Sequence, residues 1–272
     1  MSNCFAYYMP ENLSEIKDLI STMQDKNYLF YGGGSEIISM TRVKNINPDA
    51  VIDIKSISEC RELEVRDGKI NIGAAVTLYE IKESNIFSLL GTTSSRIADH
   101  TNQCRITLGG NICGSIIYKE SVLPLLLTDA QVNIFSNGNI VTKNIKEVFD
   151  KKLLLTKGEF ITSVSIDERY RELPYVHVKR VKNSKTDYPL LTVATINDNG
   201  RIKIAFSGLF NYPIREENIE NIINDKSKGI EERVNEVVSN LPDIPLNDLI
   251  ASSQWREFIL KRVLIETLGK LQ

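Results

Sequence analysis

Apolar positions along the chain fall into three textures. From Pro10 to Lys26, the residues Leu13, Ile16, Leu19, Ile20 and Met23 recur at helical spacing, with Asn12 and Glu15 placed as a capping box. The run Tyr28–Tyr31 reads as a short buried strand. Gly32, Gly33 and Gly34 follow at once, and Glu36-Ile37-Ile38 begins a second helical stretch. Asn47-Pro48-Asp49 turns into the strand Val51-Ile52-Asp53-Ile54. Helix, strand, loop, helix and strand in this order predict a small parallel α/β unit over about 1–55.

The texture changes near Ser56. Leu63 and Val65 alternate with polar residues, Asp67-Gly68 turns the chain, and Ile70 and Ile72 resume the alternation, which predicts a hairpin. Thr77 with Glu80 caps a further helix, and Ile86 to Ala98 is apolar enough for another. A second glycine loop, Thr107-Leu108-Gly109-Gly110-Asn111, precedes the apolar stretch Leu123–Leu127 and the strand Val132–Phe135. Asn137-Gly138 signals a hairpin into Ile140-Val141, and Phe160 to Ile166 alternates as one more strand.

Beyond Tyr170, Tyr175–Val181, Leu190–Ile196 and Arg201–Ser207 read as an antiparallel meander, with Asp198-Asn199-Gly200 turning between the last two. Residues from about 214 to 272 read as helices, with Trp255, Phe258, Ile259 and Val263 on one face of the last. The predicted class is α+β. A two-part domain spans 1–169, made of a small parallel α/β unit (about 1–55) and a larger α+β unit (56–169). A C-terminal antiparallel-sheet-plus-helices domain follows at 170–272.

Composition removes several function classes. A hydrophobic share of 42% with 25% charged residues is ordinary for a globular chain, and the net charge of −2 gives no global attraction to nucleic acid or membrane. No apolar run reaches the length of a membrane span, and Met1–Phe5 has neither a basic nor an apolar leader character, so a cytoplasmic protein is expected. Cys4, Cys60, Cys104 and Cys113 are scattered without cluster spacing, so no iron–sulfur cluster is expected on this chain. Cys113, beside the second glycine loop, reads as a small buried thiol. His100 and His177 form no metal-ligand pattern, and there is no G-x-S-x-G elbow, which leaves hydrolysis poorly supported.

The glycine loops carry the remaining chemistry. Consecutive glycines after a strand let successive N–H groups turn toward one point, and a helix N-terminus next to them suits a pyrophosphate. The alternative is an ordinary strand-to-helix turn. The loop is neither a Walker loop nor a G-x-G-x-x-G fingerprint. Two such loops could grip two parts of a dinucleotide. A chain with that equipment and no evident acid, base or nucleophile fits a protein whose bound cofactor does the chemistry.

Together the loops resemble the FAD-binding (medium) subunits of molybdenum hydroxylases, the group containing xanthine dehydrogenase and carbon monoxide dehydrogenase. Tyr31-Gly32-Gly33-Gly34-Ser35-Glu36-Ile37 resembles the family's Ala-Gly-Gly-Thr-Asp-Leu, and Thr107-Leu108-Gly109-Gly110-Asn111 resembles its Thr-Ile-Gly-Gly-Asn. The resemblance covers essentially the whole chain and makes 1–169 an FAD-binding domain. It implies cofactor contacts from Phe30, Tyr31, Gly32, Gly33, Gly34, Ser35, Glu36, Ile37, Thr107, Gly109, Gly110 and Asn111. Further matched positions are Ile97, an apolar residue packing on the cofactor, and Gly114, another contact. Glu120 stands at an aspartate that binds adenosine-side hydroxyls, and Ile161 at an aliphatic residue against the flavin. Lys179 matches a lysine near the isoalloxazine ring and is the candidate catalytic residue; its alternative is a solvated strand lysine. The family's Ser-Pro-x-x-Asp-Leu is replaced by Ile116-Ile117-Tyr118-Lys119-Glu120-Ser121, a variant that most resembles subunits of selenium-dependent purine hydroxylases. The iron–sulfur insertion of the hydroxybenzoyl-CoA reductases is absent.

The implied function is electron transfer. Electrons from a molybdopterin-binding large subunit would arrive through [2Fe–2S] clusters on a small subunit and leave through FAD to NAD. Two alternatives stand beside it: a scaffold subunit with weakened FAD binding, and a free-standing flavin oxidase.

Overall fold

The computed structural model describes residues 5–271. Its first sheet holds β1 (Ala6–Tyr8), β2 (Tyr28–Tyr31) and β3 (Ala50–Asp53), with α1 (Leu13–Ser21) and α2 (Ser35–Arg42) in the crossovers. The spatial order is β1-β3-β2 and both pairings are parallel. α1 starts where its cap predicts: the Asn12 side chain accepts from the Glu15 N–H at 3.0 Å, while the Glu15 carboxylate accepts from the Glu11 N–H at 2.9 Å. Strand β1 was not legible, since three residues with exposed outer positions show no alternation. All four residues of β3 are buried. Because the strands are parallel, Tyr8, Tyr31 and Asp53 end at one edge, the side of an open α/β sheet where ligands bind.

Next come β4 (Leu63–Arg66), β5 (Lys69–Gly73), α3 (Leu78–Ser84), α4 (Ser88–Ser94), α5 (His100–Gln103), α6 (Leu108–Cys113) and α7 (Val122–Leu127). They are followed by β6 (Gln131–Ser136), β7 (Asn139–Asn144), α8 (Ile145–Val148), the short pair β8 (Phe149–Asp150) and β9 (Lys152–Leu153), and β10 (Phe160–Asp167). An antiparallel sheet of order β4-β5-β10-β6-β7 results, its two hairpins turning at Asp67-Gly68 and Asn137-Gly138 as expected. The predicted helix over 86–98 is shorter, because Phe87 is extended and Ala98 takes φ 53. Ile16, Ile52, Ile70, Leu123, Phe135 and Phe160 belong to one buried cluster, so the small parallel sheet and this larger sheet share a core.

The last part has β11 (Tyr175–Val181), β12 (Pro189–Asp198) and β13 (Arg201–Ser207) as the predicted meander, then α9 (Glu217–Asn224), α10 (Ile230–Ser239) and α11 (Ser253–Leu271). Residues 189–196 of β12 are all buried because both faces are covered. Leu191 and Val193 join a second cluster under the helices, while Ala194 and Ile196 face the first core. The face of α11 that carries Trp255, Phe258, Ile259 and Val263 is fully buried only at Val263. Trp255 and Phe258 are about half exposed, at 51% and 50%, and stack on each other at 5.3 Å. The inner face is formed by Arg256, Leu260, Val263, Leu264 and Leu268. The fully buried Arg256 sets this rotation by donating to the carbonyls of Leu190, Gly208 and Leu246 and to Asp248, so that its planar fork meets four acceptor groups. Among the described residues no helix is long and apolar enough to cross a membrane.

Candidate functional site

The first glycine loop joins the end of β2 to α2. Among the described residues, none of the N–H groups from Gly32 to Ile37 donates to a protein acceptor, whereas Ile38 already donates to Gly34 at 2.8 Å. Six consecutive amides at a helix N-terminus make an arrangement suited to a multiply charged anion. A diphosphate fits it chemically, because the loop offers donors and little side-chain bulk.

The second loop packs directly on the first. A Cβ built on Gly33 would stand 1.5 Å from the Arg105 carbonyl oxygen, and one on Gly32 would stand 2.6 Å from Thr107 Oγ1. No other residue type permits that approach. The second loop's own amides are engaged, however. Gly109 donates to Ala74 O at 2.9 Å, Gly110 to Thr107 Oγ1 at 3.1 Å, and Asn111 to Thr107 O at 2.9 Å. Thr107 thus caps α6, and Asn111 Oδ1 accepts from the Ser121 N–H at 3.1 Å. The two glycine motifs are therefore not equivalent: the first presents free donors, and the second buttresses it.

Glu36 ties the two together. Its Oε1 accepts from the Ser115 N–H at 2.7 Å and from the Ser115 hydroxyl, and its carboxylate lies against Gly114. Behind this contact Lys119, 6% exposed, donates to the carbonyls of Ile112 and Gly114, and burial holds its ammonium below the ordinary lysine range. The segment that departs from the family pattern is thus strapped to α6 by its own lysine. Cys113, the last residue of α6, is exposed as a residue, yet burial around its sulfur pushes the thiol up to about 11.

Glu120 and Lys179 meet. Lys179 Nζ lies 3.0 Å from Glu120 Oε2 and 2.7 Å from the Arg96 carbonyl, while Thr192 Oγ1 donates to Glu120 Oε1 at 2.7 Å. Both charged side chains are almost fully covered, so Lys179 is not a solvated strand lysine. Burial pushes the Glu120 carboxyl up, against the pull of Lys179 and Thr192. Glu120, expected on the adenosine side of the cofactor, and Lys179, expected near the ring, are thus brought to one place. Next to them Arg96 donates to the His177 carbonyl at 3.0 Å and lies 3.2 Å from His177 Nδ1. His100 is exposed, capped by Asp99 at the start of α5.

Two apolar candidates pack into the protein, Phe30 partly buried and Ile161 fully. Phe30 packs at a tilt on Phe160 with ring centroids 4.4 Å apart, and Ile161 is 2% exposed inside the main core. Ile97 is buried at the turn that Gln103 Nε2 closes by donating to the Ser95 and Ile97 carbonyls, each at 3.0 Å.

One group of residues escaped the sequence reading. Asp53, fully buried at the end of β3, accepts from the Tyr7 hydroxyl, the Lys55 ammonium and the Lys55 N–H. Lys55 Nζ also donates to the Gly32 carbonyl at 3.1 Å and lies 4.6 Å above the Tyr31 ring. The available signal was a carboxylate inside an otherwise apolar strand that ends beside a glycine loop.

A family model described as the FAD binding domain in molybdopterin dehydrogenase matches residues 3–167. The chain belongs to this family. FAD is accordingly its cofactor, and the chain is a medium-type, FAD-binding oxidoreductase subunit of the molybdenum hydroxylases. Relatives along nearly the full length include the glyceraldehyde dehydrogenase medium chain of Sulfolobus acidocaldarius, 24% identical, covering 94% of each chain. The xanthine dehydrogenase FAD-binding subunit of Escherichia coli O157:H7 is 25% identical over 97% of this chain and 93% of that one. The crystal structure of quinoline 2-oxidoreductase from Pseudomonas putida 86 superposes with a TM-score of 0.87 at 19% identity, covering 98% of this chain and 96% of that one, and so shares the fold.

Proposed function

We propose that this FAD-binding chain is the electron-transfer subunit of a molybdenum hydroxylase. Its partners in this reading are a molybdopterin-binding large subunit and a [2Fe–2S] small subunit, with NAD as acceptor. The observation that carries the reading is the row of free amides from Gly32 to Ile37, pressed against the 105–107 segment. Bound there, FAD supplies one-electron uptake from the clusters and hydride transfer to the acceptor. The chain itself supplies binding and electrostatics. The first loop's amides neutralise phosphate charge, the second loop fixes their spacing, and Glu36 holds α2 to the loop after α6.

Residues 1–169 form the cofactor-holding domain in this reading, and 170–272 contribute Lys179 from β11. The relatives' names span glyceraldehyde and xanthine, which supports a substrate chosen by the large subunit and not by this one. A purine substrate is the narrower reading, drawn from the variant segment at 116–121.

The deciding experiment is the visible spectrum of the purified protein before and after addition of FAD. Oxidised-flavin bands, with FAD released on denaturation, are expected, followed by bleaching with NADH. A protein that stays colourless after reconstitution overturns the reading in favour of a scaffold subunit. Bleaching by a reductant but not by NADH overturns only the choice of acceptor.

A further inference from the structure

The first glycine loop has a back as well as a front. At its back stands a buried carboxylate, Asp53, which binds Tyr7 from β1 and both the ammonium and the N–H of Lys55. The Lys55 stem leads the ammonium back across the end of the parallel sheet to the Gly32 carbonyl, 3.1 Å away. The Tyr31 ring lies beneath that ammonium at 4.6 Å and meets the Tyr7 ring edge-on at 6.2 Å. Three strand ends are thereby joined at one point: β1 through Tyr7, β2 through Tyr31 and β3 through Asp53.

The contact fixes a direction. A peptide unit is planar, and there is no cis bond among the described residues, so the C=O of Gly32 and the N–H of Gly33 point to opposite sides. With the carbonyl held toward Lys55, the Gly33 N–H is turned away from it, where it has no protein acceptor. A glycine pair has no Cβ to prevent this peptide from flipping. The ammonium is what selects one orientation, and a carbonyl bound to a cation also makes the N–H of the same peptide a stronger donor.

We propose that Lys55, anchored by Asp53 and Tyr7, is a positioning residue for the cofactor: it locks the Gly32–Gly33 peptide with its N–H facing the FAD diphosphate. The inference rests on the FAD reading of this loop. Lys55 acts through the peptide, from the side opposite the anion, and does not touch the phosphate.

Three proteins test it: wild type, Lys55→Met and Lys55→Arg. The readouts are the FAD dissociation constant from flavin-fluorescence quenching and the amide ¹⁵N–¹H resonance of Gly33 in the cofactor-free protein. Lys55→Met is expected to weaken FAD binding about tenfold, the scale of one well-aimed charge-assisted hydrogen bond, and to displace the Gly33 resonance. Lys55→Arg, which keeps a cationic donor, is expected to restore both. A Gly33 resonance unmoved in Lys55→Met overturns the proposal, even with weaker binding, because a merely structural role would give that result. Unchanged FAD affinity in Lys55→Met also overturns it. Failure of the wild type to bind FAD at all strikes the FAD reading itself, and the Gly33 resonance still reports separately on whether Lys55 sets the peptide.

Discussion

Lys179 reaches across from β11 to place its ammonium 3.0 Å from the Glu120 carboxylate, and both side chains are withdrawn from solvent. A buried pair of this kind is a weak source of net stability, but breaking it strands a charge. Lys179→Met is therefore expected to lower unfolding free energy by roughly 3 kcal/mol at neutral pH. Burial already pushes the Glu120 carboxyl up, and without the lysine it rises further. The deficit should therefore shrink as pH falls and Glu120 takes a proton. Urea unfolding at pH 7.5 and 5 checks this, and the double variant Glu120→Gln, Lys179→Met should recover much of the loss. The same lysine variant, loaded with FAD, should shift the flavin reduction potential if the pair acts on the cofactor electrostatically.

His177 sets a second dependence on pH. It is 8% exposed, and burial together with the cations Arg96 and Lys179 lowers its pKa to about 3. The folded value lies below the unfolded one of about 6.5, so between the two the unfolded chain binds the extra proton and stability falls as pH falls. The full difference corresponds to several kcal/mol. His177→Gln should flatten the decline between pH 6.5 and 4 in a series of urea unfolding curves. An unchanged slope would show that other groups control acid sensitivity.

Gly33 is the tightest point between the two loops. A methyl group there would lie 1.5 Å from the Arg105 carbonyl oxygen, so the loops must separate to admit it. Gly33→Ala should lower the melting temperature by several degrees, on the order of 1–3 kcal/mol for an overpacked site, and abolish measurable FAD binding. Gly229→Ala is the matched control, since nothing lies within 4 Å of its added Cβ. It should leave both readouts near wild type.

Much of this was legible from residue pattern, for identifiable reasons. Hairpins at Asp67-Gly68 and Asn137-Gly138 and the Thr77–Glu80 capping box depend on neighbours in sequence, so local chemistry is enough to read them. That Arg256 faces inward on α11 was not legible, because it is held there by the distant carbonyls of Leu190 and Gly208, which no helical period reveals. The glycine motifs marked where the loops are, but not that the amides of Gly109, Gly110 and Asn111 are engaged internally. The meeting of Glu120 with Lys179, and of Asp53 with Tyr7 and Lys55, joins elements far apart in sequence. Such partners become visible only when the sheets are assembled.

Glu36 offers the cleanest separation of loop geometry from loop charge. It sits in the first turn of α2, where a carboxylate favours the helix but would repel a nearby phosphate. The structure resolves that conflict by giving its Oε1 two donors, the N–H and the hydroxyl of Ser115. Glu36→Ala removes the tie between α2 and the loop after α6. Glu36→Gln keeps an acceptor oxygen at the same reach and removes the negative charge. If the tie matters most, Glu36→Ala should weaken FAD binding by roughly tenfold, about 1.4 kcal/mol, while Glu36→Gln stays close to wild type. If repulsion of the diphosphate were the larger effect, both variants would bind more tightly, and the gain would fade as salt is raised. The short reach from Glu36 to Ser115 favours the first outcome. Fluorescence titration of FAD at 50 and 500 mM salt decides between them.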